Sequence, residues 1–130
     1  MKERGMKIIA TIGVLLGLVL MSAPAVLAKD GDVIRRGACS GASDWKLKLS
    51  PENGKIEVEF EVDQNRVGDT WTVVLKREGV RFFRGEKVTR APSGSFEVRR
   101  VISNQSGPDT MVGKATNQRT SERCRGSATF

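Results

Sequence analysis

The residues of this chain that could do chemistry are two cysteines, a series of carboxylates and a stretch rich in arginine. Histidine is absent. That removes Ser-His and Cys-His nucleophile systems and the commonest metal ligand. Two cysteines without histidine do not make a usual zinc site. Ser43 and Lys46 have Ser-x-x-Lys spacing. That chemistry places both side chains on one helical face, whereas Lys46 falls in a strand pattern. Glu57, Glu59 and Glu61 alternate with apolar residues, so they read as the solvated face of a strand. A glycosidase needs two carboxyls held across a cleft instead. Asp30-Gly31-Asp32 and Asp63-Gln64-Asn65 match no full calcium loop and read as a tail and a turn. No catalytic residue, metal or cofactor is expected.

The basic residues supply the one functional lead. The whole chain carries a net charge of +7. The net charge is −2 over Lys29–Leu75, +5 over Lys76–Arg100 and +2 over Val101–Phe130. Arg77, Arg81, Arg84, Lys87, Arg90, Arg99 and Arg100 form a candidate ridge that would attract anionic polymers, envelope surfaces or acidic proteins. Phe82 and Phe83 are adjacent, so in a regular strand they point to opposite faces. One of them is therefore expected to be exposed or at a sheet edge, between Arg81 and Arg84. These nine residues make up the candidate binding surface. Nucleic acid is not an expected partner. There is no tyrosine, and Trp45 and Trp71 align with core positions, so stacking platforms are missing.

The elements that must position these residues begin with the leader. Lys2, Arg4 and Lys7 precede the uncharged run Ile8–Met21, and Val26-Leu27-Ala28 presents small residues at a cleavage position. This order predicts a secretory signal peptide over residues 1–28. Ala23-Pro24-Ala25 offers a second cut. The apolar run is shorter than the ~20 residues that span a bilayer. Residues 29–130 are then a single domain working outside the cell or at its envelope. In that compartment Cys39 and Cys124 are expected to pair, closing a loop of about 85 residues.

After Ala28 the pattern is that of strands. Ile56, Val58, Phe60 and Val62 alternate with charges from Lys55 to Asp63. Trp45, Leu47 and Leu49 alternate with Lys46 and Lys48. Period two places one face in the core and one in water, the antiparallel pattern. Pro51-Glu52-Asn53-Gly54 joins the two as a hairpin. A four-residue loop would set Leu49 opposite Ile56 and Leu47 opposite Val58, with Lys48 opposite Glu57. A two-residue Asn53-Gly54 loop shifts the pairing by two and keeps the faces. The longer loop is preferred, because it keeps Pro51 out of the ladder. Further strands are expected near Val33–Arg36, Thr70–Arg77, Val80–Thr89, Ser95–Ser103, Thr110–Asn117 and Glu122–Phe130. About eight short strands in about 100 residues predict an all-β, antiparallel two-sheet sandwich with an immunoglobulin-like outline. The cysteines depart from the antibody arrangement, so their bridge should tie the ends of the domain together.

Cys39-Ser40-Gly41-Ala42-Ser43-Asp44-Trp45-Lys46-Leu47-Lys48, Ile56–Asn65 and Thr89-Arg90-Ala91-Pro92-Ser93-Gly94-Ser95-Phe96-Glu97 resemble a group of small exported proteins of actinobacterial type. The resemblance covers most of residues 29–130. It implies export and the β fold, and brings no activity or site residue with it. The function expected is a non-enzymatic exported binding or interaction module that contacts anionic envelope components through a basic surface. The alternatives are a small exported enzyme with an unrecognised site and a purely structural envelope protein.

Overall fold

Apolar residues at every second position need a partner layer, and each of the two sheets supplies it for the other. A computed structural model of the chain describes residues 28–130. The leader expected over residues 1–28 lies, Ala28 apart, outside the described residues. The strands are β1 (Val33–Ala38), β2 (Asp44–Glu52), β3 (Lys55–Asp63), β4 (Thr70–Arg77), β5 (Val80–Val88), β6 (Ser95–Ser103), β7 (Thr110–Asn117) and β8 (Arg123–Thr129). They form two antiparallel four-stranded sheets, in the orders β1-β2-β3-β6 and β5-β4-β7-β8. We call these the first and the second sheet. β3 neighbours β6 in one sheet, and β4 neighbours β7 in the other. The connections β3–β4 and β6–β7 therefore both cross between sheets. This interlock gives the immunoglobulin-like outline of the sandwich.

The inward positions carry the core. Leu47, Leu49, Ile56, Val58, Phe60, Val62 and Val98 of the first sheet are fully buried. Trp71, Val73, Leu75, Met111 and Ala115 of the second sheet meet them, each no more than 1% exposed. Trp71 packs against Phe96 at 6.0 Å between ring centroids, and its indole N–H donates to Gln64 Oε1 at 3.0 Å. Trp45 is half-buried and fits only because it faces glycines. A Cβ on Gly37 would lie 2.7 Å from its ring, and one on Gly126 2.5 Å.

The β2–β3 register corrects the sequence-based preference. Leu49 pairs with Val58, Leu47 with Phe60, Trp45 with Val62 and Lys48 with Glu59. The loop is the two-residue one. Asn53 (φ 50) and Gly54 (φ 75) both adopt the left-handed conformation that a tight hairpin turn of matching twist requires. Pro51 does enter the ladder, opposite Ile56. It is tolerated there because the ladder alternates. Glu52 and Lys55 flank the turn as the hydrogen-bonded pair, so the next pair leaves Pro51's nitrogen turned away from β3. On that other side β1 reaches only Leu49. Both candidate registers keep the same residues inside, so the core is unaffected.

Cys39 follows β1, and Cys124 lies in β8, and the two are bonded across a separation of 85 residues. The bridge joins the outer strands of the two sheets at one edge of the sandwich. Hydrogen bonds reinforce this closure. Glu122 Oε2 accepts from the Gly41 and Ser43 amides at 3.0 and 2.9 Å, and its Oε1 accepts from the Ser43 hydroxyl at 2.7 Å. The Ser43 hydroxyl thus donates to a carboxylate from a buried position just before β2, and Lys46 lies in β2, so the two do not share a helical face. No helix among the described residues is long and apolar enough to cross a membrane.

Candidate functional site

The nine residues of the expected basic surface do not share one face. Arg77 points inward at the end of β4, where its Nε donates to Asp109 Oδ1 at 3.0 Å. Its side chain is 13% exposed and Asp109's is 3%, so the pair is structural. Arg99 lies on the outer face of the first sheet. It donates to Glu57 at 2.5 Å and Glu52 at 3.1 Å, with Glu59 at 4.0 Å. Arg100 is next to it in sequence but on the opposite side of β6. Its guanidinium stacks over the Phe83 ring at 4.3 Å, across the seam between β6 and β5. Lys87 is half-buried at the same seam, and Arg90 is exposed in the β5–β6 connection.

Phe82 and Phe83 depart from the expected alternation. The β4–β5 ladder shifts between Leu75, which pairs with Phe83, and Lys76, which pairs with Arg81. Phe82 is the extra residue of a β-bulge. The bulge breaks the up-down alternation, so both rings are half-buried and both pack against the core. Neither is a free aromatic contact.

Arg81 and Arg84 remain available, and the sheet order gives them new neighbours. Residues opposite one another in adjacent strands share a face. Arg84, Val74, Lys114 and Arg125 form one row across β5, β4, β7 and β8. Arg81, Lys76, Val112 and Ser127 form the next, and Glu86, Thr72, Thr116 and Arg123 the third. This is the outer face of the second sheet. It carries the bases Lys76, Arg81, Arg84, Lys114, Arg123 and Arg125 against the single acid Glu86. Among the described residues none of these bases forms a salt bridge, and Glu86 is engaged by Gln118 at 2.8 Å. A shallow depression of about 230 Å³ opens on this face, lined by Lys114, Thr116, Arg123 and Arg125 together with Ala115 and Cys124.

Sequence reasoning missed Lys114, Arg123 and Arg125. Their signal was present, since Lys114 sits between buried Gly113 and Ala115, Arg125 between buried Cys124 and Gly126, and Arg123 just before Cys124. Parity places them outward, but which strands lie beside them is not a local property.

The outer face of the first sheet is the electrostatic opposite. Glu52, Glu57, Glu59, Glu61 and Glu97 interleave with Lys46, Lys48, Lys55 and Arg99. Lys48 lies 3.6 Å from Glu59. Glu57 is only 9% exposed, so it is less solvated than its strand pattern implies. The Arg99 guanidinium, aided by shared hydrogen bonds with Glu59 and Glu52, holds its carboxyl down at about 2. Glu59 is pushed up, first by its own burial and then by Glu57. An open depression of about 460 Å³ near the end of this face is lined by Arg36, Asp44, Trp45, Lys46, Glu61 and Asp63. Two bases face three acids there, so it offers no basic surface. No group of three or more potential metal ligands occurs among the described residues.

A second buried carboxylate closes one end of the sandwich. Asp69 is 6% exposed. It accepts from Arg119 Nη2 at 2.8 Å, Gln64 at 2.7 Å and Asn117 at 3.0 Å. The Arg119 guanidinium, with those two amides, holds Asp69 far below the usual carboxylate range. Every partner comes from a loop or strand end, so this network locks connections together and serves no reacting group.

These shifts fix an acid response. A carboxylate with a depressed folded pKa contributes stability above its unfolded value, and that stability is lost as pH falls through the folded value. Glu57 drops from an ordinary 4.5 to about 2. Asp69 and Asp109 are lowered from 3.8 by their arginines, and Asp32 is lowered as well. Glu59 alone acts the other way, contributing below 4.5 and losing that contribution as pH rises through its raised value. Stability is therefore expected to decline from about pH 4.5 downward and to keep falling below pH 2. Melting temperatures at pH 6, 4, 3 and 2 test this, and an unchanged value from pH 6 to 2 would contradict it.

No protein-family model and no curated protein sequence matches the chain.

Proposed function

We propose that the chain is an exported, non-enzymatic binding module that engages an anionic partner at the cell envelope through the outer face of its second sheet. One observation carries this reading: six unpaired bases from four strands share a face with one acid, while the opposite face is ion-paired. A solvated sheet face needs charge for solubility, but mixed charge suffices, as the first sheet demonstrates. The leader pattern and the Cys39–Cys124 bridge support an extracellular site of action.

Salt-dependent binding of the processed protein to soluble polyphosphate tests the reading. Exposed charges are screened beyond about 10 Å at 0.1 M salt, so binding should weaken steeply as salt rises. At about 1 kcal/mol per base, Arg84→Glu/Lys114→Glu should weaken low-salt binding on the order of tenfold or more. Lys46→Glu/Lys55→Glu, on the first sheet, should leave it within about twofold. Equal losses from the two pairs would reduce the effect to net charge and remove the assigned face. Absence of low-salt binding to polyphosphate and to anionic vesicles alike would remove the function.

A further inference from the structure

We infer that the partner of this basic face is a plane of anionic phosphate headgroups on a lipid bilayer, with one headgroup seated in the depression between Lys114, Arg123 and Arg125. The inference rests on the proposed function and names its ligand.

The bases are distributed in two dimensions. Arg84 and Arg125 lie at opposite ends of one row. Three interstrand spacings separate them, about 14 Å. Lys76 and Arg81 lie in the adjacent row and Arg123 in the row beyond Lys114 and Arg125. A single extended polyanion follows one line across such a face and leaves the other rows unsatisfied. A plane of headgroups meets all of them at once. The residues between the bases suit close approach to a plane. Val74 and Val112 are half-buried and short, so nothing bulky separates the long cationic side chains from what lies above. The depression adds a local feature. Lys114, Thr116, Arg123 and Arg125 are among the residues that line a space of about 230 Å³, and their side chains can offer a phosphate diester several donors.

The opposite face fixes the orientation. Its carboxylates Glu61 and Glu97 lie outward on the first sheet, where the same bilayer would repel them. The protein therefore lies with its second sheet down, as a peripheral and salt-releasable ligand of the surface. No part of the described domain has to enter the hydrocarbon.

Co-sedimentation with phosphatidylcholine vesicles, with and without phosphatidylglycerol, tests the inference, with soluble polyphosphate as the linear competitor. The wild-type protein should bind only the anionic vesicles and should release them as salt rises. Lys114→Glu/Arg125→Glu should lower that binding by tenfold or more, and Lys46→Glu/Lys55→Glu should not. Arg123→Gln removes one wall of the depression and should weaken vesicle binding severalfold, with little effect on polyphosphate binding. Circular dichroism of each variant separates loss of binding from loss of fold. Failure to bind anionic vesicles at low salt overturns the inference, and so does binding that the control pair weakens equally. If polyphosphate binds through the same face while vesicles do not, the lipid assignment fails and the anionic binding module stands.

Discussion

The Val58→Lys variant is expected not to fold. Val58 is fully buried on β3, opposite Leu49 on one side and Arg100 on the other. Its neighbours on the inner face, Ile56 and Phe60, are also fully buried. An ammonium at this position has no anionic partner and no route to water. Burying an unpaired charge costs several kcal/mol, and the longer side chain overpacks the site. A domain of this size has about 5–15 kcal/mol in total. The neighbouring Glu57 is unsuitable as a neutral control, because Arg99 binds it and it is nearly buried. Lys114→Glu is the appropriate comparison. Lys114 is exposed on β7 and unpaired, so its reversal should change stability by about 0.5 kcal/mol or less. Far-ultraviolet circular dichroism and a melting curve decide the matter. A Val58→Lys protein that melts cooperatively near the wild-type temperature would refute the face assignment of β3.

Removing the disulfide should have the second largest effect. The bond closes a loop of 85 residues, for which loop entropy corresponds to ~4–5 kcal/mol. Cys39→Ser/Cys124→Ser should lower the denaturant midpoint accordingly. It should not abolish the local structure, because Ser40 and Glu122 still bridge the same loop and strand. Ser40 N donates to Arg123 O at 2.8 Å, and Arg123 N donates to Ser40 Oγ at 2.8 Å. The double variant is the better probe than Cys39→Ser alone, which leaves a free thiol at Cys124. An unchanged midpoint in the double variant, or two titratable thiols in the unreduced wild-type protein, would sink the expectation.

Both experiments examine structural features that the sequence already pointed to. The proposed binding face is different, since it exists only in the assembled sandwich. Arg77, Arg99 and Arg100 look equivalent to Arg81 and Arg84 in a linear reading. Folding gives the first three to Asp109, to Glu57 with Glu52, and to Phe83. It leaves the last two exposed and sets them beside Lys114, Arg123 and Arg125 from strands much further along the chain.

The sequence by itself determined the strands, the sides of β2 and β3 that face the core and the cysteines available to pair. It also excluded histidine-based chemistry. Each of these is local. A period of two is written in consecutive residues. Only the tertiary structure decided the β2–β3 register, the bulge at Phe82 and the company of each charge. Register was undetermined because a shift of two residues preserves every face, so hydrophobic patterning cannot distinguish the two pairings. The bulge depends on how β5 twists against β4. The basic face depends on β7 and β8 lying beside β4, a consequence of connections that cross between the sheets. Lateral neighbours in a sheet are set by global strand order, and no window of sequence contains that order.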